Sequence, residues 1–303
     1  MESVRTRVIA QAPAKINLVL SVGPLRPDGF HELATIFHAV SLHDRVEAHL
    51  ADEISVTVQG THADRVPADT SNLAARAAAT LAEYAGVHFG ARLHIRKAIP
   101  VAGGLAGGSA DAAAALVACD ALWGTGLGRG EMLRLAARLG SDVPFSLEGA
   151  TALGTGRGEQ LTAVMVDGTF HWVIAVAAGG LSTPAVYREL DRQREDATVA
   201  PPAVGNDALA ALRAGDPEAL AVSLRNDMQD AACALDPALV TTLETGGRVG
   251  AMAGIVSGSG PTCVFLARDG DHALDLAVGL TSAAVATDIL CVRGPVPGAR
   301  VVG

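Results

Sequence analysis

The stretch Pro100-Val-Ala-Gly-Gly-Leu-Ala-Gly-Gly-Ser-Ala-Asp-Ala-Ala-Ala carries the densest chemical information in the chain. Glycines let backbone N–H groups approach a ligand closely, because no Cβ intervenes. Pro100, Gly103, Gly104, Leu105, Ala106, Gly107 and Gly108 form the loop, and Ser109 is a good N-cap for the Ala/Leu-rich helix that runs on to Trp123. A helix N-terminus offers unpaired donors and a partial positive charge, so loop and helix together make a cradle for a polyphosphate. A flexible turn ahead of a buried helix accounts for the same residues. Two familiar phosphate loops are excluded: no Gly-Lys-Ser/Thr follows four spacer residues, and the glycines do not fall in a G-x-G-x-x-G register.

Three further segments hold polar groups in unusual company. In Pro13-Ala-Lys-Ile-Asn-Leu-Val-Leu, a period of two puts Lys15 and Asn17 on one face of a strand and Ile16, Leu18 and Leu20 on the other. Such a lysine and asparagine need polar partners, unless the strand lies at an edge with the lysine in water. In Leu139-Gly-Ser-Asp-Val-Pro-Phe, Asp142 sits in a break between helices, just before a proline able to open the next one. A free carboxylate and an ordinary N-cap both fit. Ser257-Gly-Ser-Gly-Pro-Thr is a second glycine-rich turn between strands, and a tight hairpin explains it equally well.

The elements that must position these groups read as follows. Strands are expected at Val4–Ala12, Asn17–Val22, Arg45–Ala51, Ile54–Gln59 and Ala91–Lys97, with turns at Pro24–Gly29 and around Asp52. Helices are expected at Ala74–Tyr84 after a Ser71-Asn72 cap, at Ser109–Trp123, and at Glu131–Leu139 closed by Gly140. A strand at Trp172–Ala177 and a helix at Pro184–Gln193 follow, then a polar connector at 194–205 and short helices near residues 208–213, 217–224 and 237–245. The tail reads strand, turn, strand, helix, strand from Gly254 to Val292. Strands and helices mix without a regular βα period, which favours an α+β fold. A chain of 303 residues leans towards two domains, with a boundary near residue 165 that composition barely marks.

Half of the residues are apolar and 18% are charged, enough to bury a core and too ordered a composition for extended disorder. A net charge of −9 with no Lys/Arg run argues against a nucleic-acid partner. Cys119, Cys233, Cys263 and Cys291 are scattered, which disfavours a structural zinc and fits a reduced cytoplasm. Arg5 and Arg7 precede an apolar stretch that Gln11, Pro13 and Lys15 interrupt too early for a signal peptide, and the Ala-rich run at 110–123 is short for a membrane span. Neither a membrane nor a nucleic acid is therefore an expected partner.

A lysine strand near the start, a long glycine loop into a helix, a loop aspartate and a late Gly-Ser-Gly-Pro turn occur here in one order. That order resembles the superfamily of galactokinase, homoserine kinase, mevalonate kinase and phosphomevalonate kinase, the GHMP kinases. With Asp28-Gly-Phe-His-Glu-Leu added, the segments look most like its branch acting on a cytidine-diphosphate-linked methylerythritol in the non-mevalonate route to isoprenoid precursors. The resemblance spans about Ala12 to Ala267. It implies an N-terminal ATP-binding domain (1–165) and a C-terminal, ferredoxin-like α/β-sandwich domain for substrate (166–303). It further implies transfer of the ATP γ-phosphoryl group to the 2-hydroxyl of the methylerythritol unit, with ATP and Mg2+ as cofactors.

The residue roles below come from that resemblance alone. Asp142 is the base and Lys15 stabilises charge beside it, with Asn17 orienting the substrate. Phe30 and Tyr187 are expected to stack on the two faces of cytosine while His31 bonds its edge. Thr183, Gly258 and Ser259 complete the substrate pocket, and Asn72 and Lys97 flank the adenine. Relatives often carry two serines before the helix, whereas here Ser109 is followed by Ala110. No protein ligand to Mg2+ is therefore assigned, and the ion is expected on phosphates and water. The rival expectations are another alcohol kinase of the superfamily, such as homoserine or mevalonate kinase, and a non-catalytic nucleotide-binding protein.

Overall fold

The computed structural model describes residues 6–60, 63–101 and 103–303. Val4 and Arg5 of the first expected strand, and Ala102 of the glycine loop, lie outside the described residues. The chain opens with two long antiparallel strands, β1 (Arg7–Leu25) and β2 (His31–Ala51). β1 is continuous where two strands were expected. Bulges after Pro13 and between Asn17 and Val19 absorb the breaks in alternation, and a bulge is where a sheet tolerates proline. Only the last third of β2 was anticipated. Its first half, from Ala34 to Val40, is buried on both faces and shows no polar alternation to read.

β3 (Ser55–Gly60), α1 (Leu73–Ala85) and β4 (Gly90–Lys97) form a crossover that lays β3 parallel to β4. α2 (Gly107–Trp123), α3 (Arg129–Leu139) and α4 (Val143–Glu148) follow, then the hairpin of β5 (Thr151–Thr155) and β6 (Gln160–Ala163). That hairpin escaped the sequence reading, being short and closed by glycines 156 and 158 in the left-handed region.

The rest of the chain runs through β7 (Phe170–Val176), α5 (Thr183–Gln193), α6 (Asn206–Ala214), α7 (Pro217–Ala221) and β8 (Arg225–Asn226). It continues through α8 (Gln229–Leu235), α9 (Ala238–Arg248), β9 (Ala253–Val256), β10 (Cys263–Ala267), α10 (Gly270–Ser282), β11 (Asp288–Gly294) and β12 (Arg300–Val301).

Two sheets result. The first orders its strands β12-β1-β2-β4-β3, with β5 and β6 paired onto β2 and β8 onto β1. The second is antiparallel in the order β11-β7-β10-β9. Numbered by appearance that order is 4-1-3-2, the ferredoxin-like arrangement. The fold is thus α+β. The short β8 and β12 return from the second half of the chain to the first sheet, and Trp172 of β7 packs edge-on against His38 of β2 at 5.9 Å.

α2 is the helix that matters most for the site. Ala110 and Ala112–Ala115 are fully buried, and their small side chains let its axis lie close on β1 and β2. It starts two residues earlier than Ser109. Its N-cap is Ala106, at φ +58° in the left-handed region, so Ser109 stands in the first turn and caps nothing. Gly124 ends the helix, also left-handed.

Candidate active site

A cavity of about 560 Å³ opens between the loop preceding α2, the middle of β1 and β2, the start of α5 and the turn after β9. Its centre is Lys15. Lys15 is 6% exposed, so the edge-strand alternative fails. It donates to Asn17 Oδ1 at 2.7 Å and to the Gly104 carbonyl at 3.0 Å, and sits 5.6 Å above the Phe37 ring. Asn17 passes the network on: its Nδ2 donates to Thr35 Oγ1, which donates to the Val19 carbonyl. Thr35 is fully buried on β2 and was not anticipated, because its strand was not.

Asp142 Oδ2 lies 3.9 Å from Lys15 Nζ. Asp142 occupies the N-cap position of α4 in a helical conformation, and its side chain makes no capping bond. With a third of that side chain exposed (34%), the carboxylate points at the cavity with free acceptor capacity. Burial pulls the pKa of Lys15 below the ordinary lysine value, and the Asp142 charge acts against that fall. An acceptor carboxylate beside a desolvated ammonium can take a proton from a hydroxyl while the cation stabilises the charge left behind.

The glycine loop lies immediately beside this pair. Gly103, Gly104, Ala106, Gly107 and Gly108 line the cavity; the Leu105 side chain turns into the core, and Leu105 and Ser109 are not part of the wall. Gly104 adopts φ +75°, and a Cβ there would collide with the Ser257 carbonyl, so the close approach of the two glycine-rich turns requires glycine. Ser257 Oγ also donates to the Gly104 carbonyl at 3.3 Å.

Beneath the loop, Lys97 is clamped between Asp44 of β2 and Asp111 of α2, the latter at 2.7 Å. Asp44 also accepts the N–H groups of Ala98 and Ile99, which fixes the entry to the loop. Lys97 reaches the cavity wall, yet its charge is committed to these two carboxylates. Asp111 is 2% exposed, and burial pushes its pKa up to about 8, with Lys97 pulling down and Asp44 adding to the rise. One ammonium between two buried carboxylates leaves a surplus negative charge, which a proton on Asp111 removes. Asn72 caps α1 by accepting from Ala74 N, holds the Pro67 carbonyl, and also lines the cavity.

On the other side, Thr183, Tyr187, Gly258 and Ser259 line the cavity, with Thr183 Oγ1 2.8 Å from Ser259 Oγ. The aromatic groups are arranged differently from the expected cytosine sandwich. Tyr187 stacks on His31, with centroids 5.0 Å apart and planes 12° from parallel. Phe30 is 50% exposed under the Arg157 guanidinium, and neither Phe30 nor His31 belongs to the cavity wall. His31 Nδ1 contacts the Gly23 carbonyl at 2.9 Å, and Nε2 lies 3.3 Å from Asp191. An exposed aromatic in a loop finds the nearest flat cation, and a buried imidazole finds the nearest ring; sequence spacing encodes neither choice.

Residues 72–150 match the model described as the GHMP kinases N terminal domain, and residues 208–285 that of the GHMP kinases C terminal. A protein of Salinispora arenicola named 4-diphosphocytidyl-2-C-methyl-D-erythritol kinase is 59% identical over 96% of this chain and 93% of its own. The chain belongs to the GHMP kinase family. A protein of Mycobacterium tuberculosis with the same name is 54% identical over 97% of this chain and 93% of its own. Among solved structures, a 4-(cytidine 5'-diphospho)-2C-methyl-D-erythritol kinase is 33% identical, with a TM-score of 0.78 over 94% of this chain and 98% of that one. Homoserine kinase from Cytophaga hutchinsonii has a TM-score of 0.77 at 19% identity over 100% of this chain and 99% of its own, a likeness of GHMP fold alone.

Proposed function

We propose that this GHMP kinase transfers the γ-phosphoryl group of ATP to the 2-hydroxyl of 4-diphosphocytidyl-2-C-methyl-D-erythritol, a step of non-mevalonate isoprenoid precursor synthesis. The observation that carries the reading is the Lys15–Asp142 pair, 3.9 Å apart at the mouth of the glycine loop. The named relatives at 54–59% identity favour this alcohol over homoserine or mevalonate. They also disfavour a non-catalytic protein.

Asp142 accepts the hydroxyl proton as the substrate oxygen bonds to the γ-phosphorus. The bond from that phosphorus to the β–γ bridging oxygen breaks, and ADP leaves. Phosphoryl transfer asks a protein mainly for positioning and charge stabilisation. Lys15 supplies the charge, Asn17 holds Lys15 and faces the substrate, and the N–H groups at the start of α2 face the phosphates. Pro100, Gly103, Gly104, Ala106, Gly107 and Gly108 form the phosphate cradle, with the adenine near Asn72 and Lys97.

On the acceptor side, the Gly23 carbonyl accepts a hydrogen bond from His31 Nδ1 and fixes the ring at the edge of the cytosine. Phe30 and Tyr187 offer the aromatic faces; for Tyr187 this means exchanging its stack on His31 for the base. Thr183, Gly258 and Ser259 border the methylerythritol unit.

Mg2+ fits the donor chemistry only through ATP. Lys97 engages Asp111 through Oδ2, while Oδ1 has no hydrogen-bond partner among the described residues, and Ser109 is a single hydroxyl; the ion would be held mainly by phosphate oxygens and water. When bound, it neutralises charge on the transferring group. We place the ATP-binding unit at 1–165 and the substrate unit at 166–303, in a cytoplasmic enzyme. Among the described residues no helix is long and apolar enough to cross a membrane.

The test is ADP formation by purified protein with Mg2+-ATP and each of the cytidine compound, homoserine and mevalonate. Turnover with the cytidine compound alone is expected. Turnover with another alcohol in its place would discard the substrate and keep the Lys15–Asp142 chemistry.

A further inference from the structure

We propose that Asn226 is a positioning residue for the phosphoryl transfer, acting through Gly258 to keep Lys15 shielded from water. The proposal rests on the role given to Lys15 above. Asn226 is 8% exposed and lies on β8, which pairs with β1 at Leu20, a few residues along the strand from Lys15. Its Nδ2 donates to the carbonyls of Val256 and Gly258, both at 2.7 Å, and its Oδ1 accepts from Met228 N at 2.9 Å. The amide therefore ties the start of α8 to the end of β9 and the turn after it, and the pairing of β8 with β1 anchors both to the strand that carries Lys15. Both amide hydrogens are used, so no other residue type of this size can replace it.

The held turn is the one that covers the ammonium. Gly258 has φ +58°, and a Cβ built on it would stand 3.3 Å from Lys15 Nζ, 3.4 Å from Asn17 Oδ1 and 3.5 Å from the Gly104 carbonyl. It thus closes over the lysine and both of its hydrogen-bond acceptors. Of the other neighbours of Lys15, Asn17 shares its strand β1, Phe37 is on β2, and Asp142, the charged group facing Lys15, opens α4. The adjacent Asp227 reinforces the hold: its Oδ2 accepts from Val22 N at 3.0 Å and from Arg194 at 3.2 Å. The buried state of Lys15, and with it the lowered pKa, depends on this turn staying in place.

Asn226→Asp tests this in an isosteric frame. It keeps the acceptor for Met228 N and sets a negative oxygen against two carbonyls, so the turn must move. The expected result is a kcat lower by roughly 10- to 100-fold, the scale of a small misplacement, with KM for ATP nearly unchanged. The pKa of Lys15, read by pH-dependent competitive labelling of its amine and mass spectrometry, should rise towards the ordinary lysine value. The alkaline limb of the pH–rate profile should rise with it. Should Asn226→Asp fail to fold, Asn226→Ser, which keeps one donor, is expected to show the same changes at smaller size. A labelling pKa identical to that of the parent, or loss confined to thermal stability with kcat and profile unmoved, overturns the proposal. A raised labelling pKa with an unmoved pH–rate profile instead refutes the catalytic role of Lys15, while leaving the hold of Asn226 on it intact.

Discussion

In the proposed reaction, Lys15 and Asp142 divide the work in a way that their surroundings dictate. The aspartate keeps free acceptor capacity because its helix uses it as a cap in position only. The lysine keeps a strong field because it is desolvated, and the same burial lowers its pKa. Asp142→Asn and Lys15→Ala should each leave a folded protein with turnover reduced at least ~100-fold, the scale of losing a positioned acid–base group. Circular dichroism alongside steady-state kinetics would check both halves of that statement. If Lys15 acts as a cation, activity falls as pH rises through its lowered pKa, so the alkaline limb of kcat should lie below the range of an ordinary lysine. A kcat flat to pH 10 would contradict the assignment. Tyr187→Ala should raise KM for the cytidine compound without matching loss in KM for ATP; an unchanged KM would remove Tyr187 from the base-binding role.

At the scale of elements, the loop before α2 is set from below by Asp44, Lys97 and Asp111 and from the side by the turn at Ser257–Gly260. Gly104→Ala meets the Ser257 carbonyl in a left-handed conformation that costs a non-glycine residue roughly 1–3 kcal/mol. ATP binding by this variant, measured by calorimetry, should be weakened while the cytidine compound still binds.

The buried carboxyl of Asp111 gives a stability signature. Below its ordinary value of 3.8 it is protonated in the folded and unfolded chain alike. From there up to about 8 the folded chain alone keeps the proton, so stability is lost progressively as pH rises, and the loss is complete above about 8. Asp111→Asn keeps the shape without the proton. Its Tm should therefore fall less than that of the parent between pH 5 and pH 8. Parallel Tm curves would show that Asp111 is ionised in the folded state.

For the molecule as a whole, the parts legible in the sequence are those where local pattern and final environment agree. The glycine loop, α1, α3 and the strand–turn–strand–helix–strand tail were readable within one to three residues, because glycines and caps mark their ends. The order of the second sheet followed from the resemblance rather than from pattern. The first half of β2 was hidden because Ala34 to Val40 are covered on both sides, which erases alternation. Asp44, Thr35 and Asn226 were missed for a related reason: each is a buried polar residue whose partners lie on distant segments. For Thr35 the available signal was a lone hydrogen-bonding side chain inside an apolar run, whereas Asp44 and Asn226 stand among other polar residues and gave no such signal. Such a side chain marks a need for a partner without saying which one. Tyr187 and His31 make the same point from the other side, since their stacking depends on how α5 meets β2.

In the proposed function, the glycine loop and the Lys15–Asp142 pair act together on one hydroxyl of a cytidine-linked alcohol. The most direct test is the structure of the product. Purified protein would be incubated with Mg2+-ATP and 4-diphosphocytidyl-2-C-methyl-D-erythritol, and the product resolved by 31P NMR and mass spectrometry. The expected result is one added phosphoryl group on the 2-hydroxyl, an intact cytidine diphosphate, one ADP per product, and no product with Asp142→Asn. Phosphorylation at another hydroxyl, or ATP hydrolysis with the alcohol unchanged, would contradict the account.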